Sequence, residues 1–288
     1  MAFAVAALGI GLFSTMDALM KAATIALGVF NAVFWRNLVG ILISSLLYLP
    51  GARRWPDRAA LRVHLIRGAV STVMAIAFFW GLARMPMAEA IALSFVAPII
   101  ALFLAAVLLG ERIGSRAIAA SLLGLAGVVV ILSARLGGDG QRDFLGALAV
   151  LFSAMLYAYN IVLMRRQALI AGPREVAFSQ SVIVTLCLTP FAPMFAGLPG
   201  AEHWPGLAAA AALACGSLLL LAWAYRRAEA QHLAPVEYTA LVWAALFGYL
   251  VFSEQVGVST LAGAGLIIGG CVLAARSRRP AAPAELTA

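Results

Sequence analysis

WGLARMPMAEAIALSFVAPIIALFLAAVLLGERIGSRAIAASLLGLAG occupies residues 80–127, and its landmarks return 143 residues later. Trp80, Arg84, Glu111 and Gly127 are answered by Trp223, Arg227, Glu254 and Gly270. Between them Phe95 meets Tyr238, Ala97 meets Ala240 and Ala101 meets Ala244, with no gap in the register. Small apolar matches arise easily by chance in a hydrophobic chain. Paired tryptophans, arginines and glutamates in one register do not. The chain reads as one unit written twice.

The solvent of that unit follows from composition. The 288 residues are 64% hydrophobic and 11% charged, with mean hydropathy +1.00. A soluble chain carries roughly a quarter charged residues, so lipid must be the main solvent. The net charge of +8 does not point to nucleic acid, because the arginines sit in short clusters between apolar runs, as membrane-flanking charges do. Cys187, Cys215 and Cys271 each fall inside an apolar run. Their odd number and spacing fit buried small hydrophobes and no metal site. The N-terminus lacks a basic segment and a cleavage site, so residue 2 onward reads as a retained helix.

About 20 apolar residues cross a bilayer core. Ten stretches qualify: 2–23, 31–49, 65–83, 88–108, 117–134, 144–164, 176–196, 205–225, 235–252 and 260–275. Breaks at Pro50-Gly51, Met85-Pro86, Gly110-Glu111, Gly137-Gly138, Gly172-Pro173 and Leu198-Pro199 separate them. Backbone groups in lipid must bond internally, so these are helices. The predicted fold class is an all-α membrane protein of ten transmembrane helices. The loops after helices 2, 4, 6 and 8 and the C-terminus hold most of the arginines, while the opposite side holds only Lys21, Arg84, Arg135 and Arg142. Both termini are therefore expected in the cytoplasm. Five helices per copy is odd, so the second copy enters from the other face. The expectation is two inverted five-helix repeats, 1–138 and 139–277, with a cytoplasmic tail at 278–288. Inverted repeats give two related conformations open to opposite sides, around a site near the midplane.

Several passages carry a family resemblance. They are Phe34-Trp35-Arg36, the stretch from Ala83 through Arg84-Met85-Pro86-Met87 to Ala90, Ser94-Phe95-Val96-Ala97-Pro98, Leu109-Gly110-Glu111-Arg112 and Gly124-Leu125-Ala126-Gly127-Val128. The second copy keeps Ser253-Glu254 and Gly269-Gly270, and departs at Leu241 opposite Pro98 and at Ser253 opposite Gly110. Over nearly its whole length the chain resembles the drug/metabolite transporter superfamily, in its ten-helix EamA-type branch. That resemblance implies a carrier of small metabolites. Members include bacterial exporters of aromatic and neutral amino acids, S-adenosylmethionine permeases and multidrug exporters. Gly11-Leu12-Phe13-Ser14 with Asp17 and Lys21 suits an amino-acid or S-adenosylmethionine carrier.

Intramembrane charge is costly and usually faces a cavity or a partner. Asp17 and Lys21 share a helix at a spacing that permits pairing, and Arg36 enters helix 2 from the same side. The three are expected to form a cluster, either holding a substrate carboxylate or tying helices 1 and 2 together. Glu89 and Glu237 open helices 4 and 9, where each can complement a helix dipole. Glu237 and Asp17 are the candidates for proton coupling. Glu111 and Glu254 are expected to share a helix-end role. Phe79, Ser94, Tyr157, Asn160, Tyr238 and Trp243 complete the expected substrate-binding set, an aromatic pocket with a few polar groups. Pro98 removes a backbone hydrogen bond within helix 4, and Pro190 and Pro193 do so in helix 7. Pro98 is the expected gating kink. Gly265 and Gly269 have the spacing that permits close helix contact, within the chain or with a second copy.

Lys21, the single lysine, follows no phosphate-binding glycine loop. His64, His203 and His232 lie at or near loops, and neither a His-Glu-x-x-His motif nor a Gly-x-Ser-x-Gly elbow occurs. The reading is a secondary transporter, not an enzyme, with no cofactor and no metal. It is expected in a bacterial-type inner membrane as a multi-pass protein, a monomer or weak homodimer. It would export neutral and aromatic amino acids and related metabolites by alternating access. A metabolite uptake permease, a multidrug exporter and a channel are the alternatives.

Overall fold

A computed structural model describes residues 2–51, 56–97, 99–100, 104, 115–133, 141–225, 236 and 238–277. Helices account for nearly all of them, and no strand occurs among the described residues. In chain order they are α1 (Ala2–Leu27), α2 (Val29–Tyr48), α3 (Arg58–Leu82), α4 (Met87–Ser94), α5 (Ser115–Ser133), α6 (Gln141–Ile170), α7 (Pro173–Leu188), α8 (Trp204–Tyr225), α9 (Thr239–Phe252) and α10 (Val258–Ser277). Among the described residues, six segments are long and apolar enough to cross a membrane: Ala4–Leu27, Val29–Tyr48, Arg58–Leu82, Phe144–Met164, Pro173–Phe195 and Ala201–Leu221.

The polarity of the assembly is that of a protein in lipid. Leu42, Leu46, Leu122, Val242 and Leu250 are exposed on the outside. Asp17, Lys21, Asn37, His64, Arg67 and Gln167 are buried. Water would invert that arrangement; a bilayer accepts the apolar exterior and drives charge inward.

Element ends follow local chemistry. α3 begins seven residues before the expected span, because Asp57 caps it: its carboxylate accepts the Ala60 N–H at 2.7 Å. A single residue, Gly28 at φ 80°, separates α1 from α2. Glycine adopts that left-handed conformation without steric cost. α4 stops at Ser94, and Phe95 and Val96 form a turn before helix resumes at Ala97. Pro98, the expected kink, lies outside the described residues, as do Glu237, Glu111 and Arg227. In the seventh span α7 gives way at Thr189–Phe191 to a tighter turn and then a short helix, Ala192–Phe195. Pro190 and Pro193 fall there, as the missing N–H groups require.

Helices pair as α1 with α8, α2 with α7, α3 with α6, α4 with α9 and α5 with α10. Two of these contacts are glycine-mediated. A Cβ on Gly127 would stand 2.5 Å from the Gly263 carbonyl oxygen, and one on Gly81 would stand 2.5 Å from that of Gly146. Backbones approach there because nothing intervenes. The expected pair, Gly265 and Gly269, does not serve this purpose among the described residues. A Cβ on either would meet nothing within 4 Å. The small-residue spacing is present, but helix rotation turns Gly263 toward α5 instead.

Candidate functional site

The charged residues of α1 do not pair with each other. Lys21 Nζ donates to the carbonyl oxygen of Met85 at 2.7 Å and forms a short ion pair with Glu254, past the end of α9. The other Glu254 oxygen accepts the Met87 N–H at 2.8 Å. Lys21 also lies 4.9 Å from the Phe252 ring centre. Nearby, Thr260 donates to Glu89 at 3.0 Å. The expected Asp17–Lys21–Arg36 cluster is thus corrected. Glu254 already holds a backbone N–H, and it presents a carboxylate where Lys21 can also reach a carbonyl; Asp17 has no such second anchor. Ser253, which starts this turn, has φ 55°, a conformation natural to glycine. Its register partner is Gly110.

Asp17 is 3% exposed, and its Oδ1 is buried with no hydrogen-bond partner. Across from it, Arg36 of α2 supplies the opposite charge that acts on Asp17. The Arg36 Nε is also buried without a partner. Its terminal nitrogens make only weak contacts, 3.7 Å to the Met16 sulfur and 3.4 Å to Asn37 Oδ1. Buried polar groups are almost always satisfied. Two orphaned atoms of opposite character thus lie on the adjacent helices α1 and α2.

The aromatic residues divide. Phe95 and Tyr238, partners in the 143-residue register, touch edge to face with ring centres 5.4 Å apart. Trp243 stacks on Phe247 at 6.0 Å and covers Gly11 of α1. Phe79 is buried in the main core beside Phe78. The Ser94 hydroxyl is spent on the Ala90 carbonyl at 2.9 Å. Asn160 is buried, 3.5 Å from Ser71, while Tyr157 is exposed.

A second polar group joins α3, α6 and α7. His64 Nε2 is 3.0 Å from Glu175, Gln167 bonds His64 Nδ1, and Arg67 bonds the Gln167 oxygen. Sequence reading missed it, since His64 stood near a loop and Arg67 read as a membrane-flanking charge. The available signal was helical spacing: His64, Arg67 and Ser71 recur at three and four residues, on one face.

The Trp80 and Arg84 of the opening stretch also meet. The Arg84 guanidinium lies 3.6 Å from the Trp80 ring centre and bonds the Trp80 carbonyl at 2.8 Å. This contact gives the Trp80–Arg84 spacing of the first copy a local physical reason.

The chain matches the model of the EamA-like transporter family twice, over residues 1–133 and 144–276. It is 28% identical over 270 residues to the pseudopaline exporter CntI of Pseudomonas aeruginosa, covering 93% of each chain. It is 28% identical over 214 residues to an S-adenosylmethionine uptake transporter of Rickettsia bellii, covering 72% of this chain and 69% of that one. It is 29% identical over 266 residues to a riboflavin transporter of Rhizobium johnstonii, covering 88% and 84%. A solved crystal structure is similar at TM-score 0.61 and 25% identity, covering 95% of this chain and 96% of that one.

Proposed function

The chain belongs to the EamA-like transporter family, and from that membership we propose that it is a secondary transporter exporting neutral and aromatic amino acids and related metabolites. The observation that carries the substrate class is the Asp17–Arg36 arrangement, with one buried orphan atom on each side chain. A zwitterion complements both: its ammonium suits Asp17 and its carboxylate suits Arg36. Trp243, Phe95 and Tyr238 provide apolar surface for a side chain. Asp17 is also the described candidate for proton coupling.

Alternating access between two inverted halves is the proposed mechanism. The family matches begin at residues 1 and 144, the same displacement as the echo in the sequence. Exchanging the halves converts the α1–α8 contact into α6–α3 and returns α2–α7, α4–α9 and α5–α10 to themselves. That pattern supports a two-fold relation between the copies. The arginine distribution supports cytoplasmic termini in a bacterial inner membrane. On this reading Lys21, Glu254 and the Met85–Met87 turn lie on the outer side, where they tie α1 to α4 and α9.

An uptake permease is the second reading, favoured by the similarity to the S-adenosylmethionine uptake transporter. Purified protein in liposomes decides between them. Saturable, stereoselective L-phenylalanine flux accelerated by substrate on the opposite side is expected. Inhibition by S-adenosylmethionine without amino-acid flux would favour the permease, and flux without such acceleration would indicate a pore.

A further inference from the structure

We infer that Arg67 is a second anion site, which takes the carboxylate of a small organic solute at a point separate from Asp17 and Arg36. Arg67 is 7% exposed, and its Nε–H is buried with no acceptor. A guanidinium taken out of water needs a charged or well-bonded partner. The neighbours supply little. Gln167, itself buried, offers Arg67 only a neutral amide oxygen. Among the described residues, the ionisable group that acts on Arg67 is Tyr157, a phenol uncharged near neutral pH.

The nearby carboxylate is already engaged. Gln167 uses its NH2 on His64 Nδ1, so that nitrogen must accept and the ring proton sits on Nε2. From Nε2 it is directed at Glu175, 3.0 Å away. The sequence Arg67–Gln167–His64–Glu175 therefore runs with one hydrogen-bond direction and leaves no anion for Arg67 among the described residues. The same chain holds the guanidinium in place by its Nη1 edge, and on the Nε edge the Nε–H has no acceptor among the described residues. That edge is suited to two-point recognition of a carboxylate. Ser71, one turn along α3, and Asn160 lie on the same side, and both are buried. They add neutral polar groups suited to the rest of a small solute.

For its place in a transport cycle the site rests on the proposed function: Arg36 and Arg67 would hold the same carboxylate in succession. Its existence is a matter of binding and is tested apart from flux. Thermal unfolding of the full-length protein in nanodiscs is followed with sodium benzoate and L-phenylalanine. Benzamide, L-phenylalaninamide and sodium chloride at equal ionic strength serve as controls. The carboxylates are expected to raise Tm and the controls not to. Arg67→Gln should shift the half-protecting benzoate concentration upward about ten- to hundredfold, as loss of a charged hydrogen bond implies.

Ser71→Glu covers the case in which Arg67→Gln does not fold. A carboxylate four residues along the same face would occupy the site from within. That variant should melt above the parent and lose benzoate protection. A lower melting point, or protection that survives the change, overturns the inference. So does equal protection by benzoate and benzamide. Benzoate protection without L-phenylalanine flux upholds the site and removes the amino-acid assignment. Flux together with unchanged protection in Arg67→Gln removes the site and leaves transport standing.

Discussion

Lys21 is paired with Glu254, 233 positions away in the chain, and not with Asp17 one helical turn before it. The side chains are 4% and 17% exposed, so the pair is largely withdrawn from solvent. It joins α1 to the turn after α9, and Glu254 extends the tie to the start of α4 through the Met87 N–H.

Breaking this pair from one side leaves a buried charge. Lys21→Met and Glu254→Gln should each destabilise by about 3–5 kcal/mol. The double variant should cost less than the two together, with a coupling of about 0.5–3 kcal/mol. Unfolding in mixed micelles measures it. Strictly additive losses would show that the two side chains do not act as a pair.

Glycine contacts give a contrast within one helix. Gly263→Ala must push the new methyl against the Gly127 carbonyl, which a Cβ would approach to 2.7 Å. A loss of about 1–3 kcal/mol is expected, as for other overpacked sites. Gly265→Ala and Gly269→Ala meet nothing within 4 Å, and should be neutral or slightly stabilising because alanine is the better helix former. Equal losses at all three would contradict the α5–α10 packing described.

Asp17→Asn and Arg36→Gln test the proposed substrate site. Each removes one charge-assisted bond to a zwitterion, worth about 1.5–3 kcal/mol. L-phenylalanine flux at low concentration should fall about ten- to hundredfold, with the folded protein retained. Phenethylamine, which lacks the carboxylate, should be insensitive to Arg36→Gln. Full amino-acid flux in both variants would move the substrate away from α1 and α2.

Gln167 holds two partners at once, so Gln167→Met should strand both His64 Nδ1 and Arg67. Each orphan costs about 1–3 kcal/mol. His64→Phe on that background should then cost less than His64→Phe alone, because the link is already cut. Calorimetric or fluorescence melting of the four proteins measures the difference, and independence of the two substitutions would refute the shared network.

Much of the architecture was legible along the chain. Apolar runs marked the helices, Asp57 and Gly28 stand where two of them begin or end, and Pro190 and Pro193 marked the break after α7. The 143-residue register anticipated that Phe95 and Tyr238 are counterparts. It gave no sign that they touch. The candidate site was legible only in part. Asp17 and Arg36 stand out because charge in an apolar run is conspicuous. Arg67 does not, because it follows the cluster of arginines around the start of α3 and resembles a membrane-flanking residue.

Hydropathy, helical period and turn residues are properties of neighbours in the chain, and they determined by themselves that this is a multi-helix membrane protein with a repeated unit. Partner choice was decided only by tertiary structure. Spacing says which residues Lys21 can reach along its own helix; the fold brings Glu254 to it from the far end of the sequence. The same holds for Gly263 in place of Gly265 and Gly269, since helix rotation sets which small residue meets another backbone. In a low-dielectric interior the available charges and carbonyls compete for each polar group, and the outcome depends on distances between helices that no local pattern encodes.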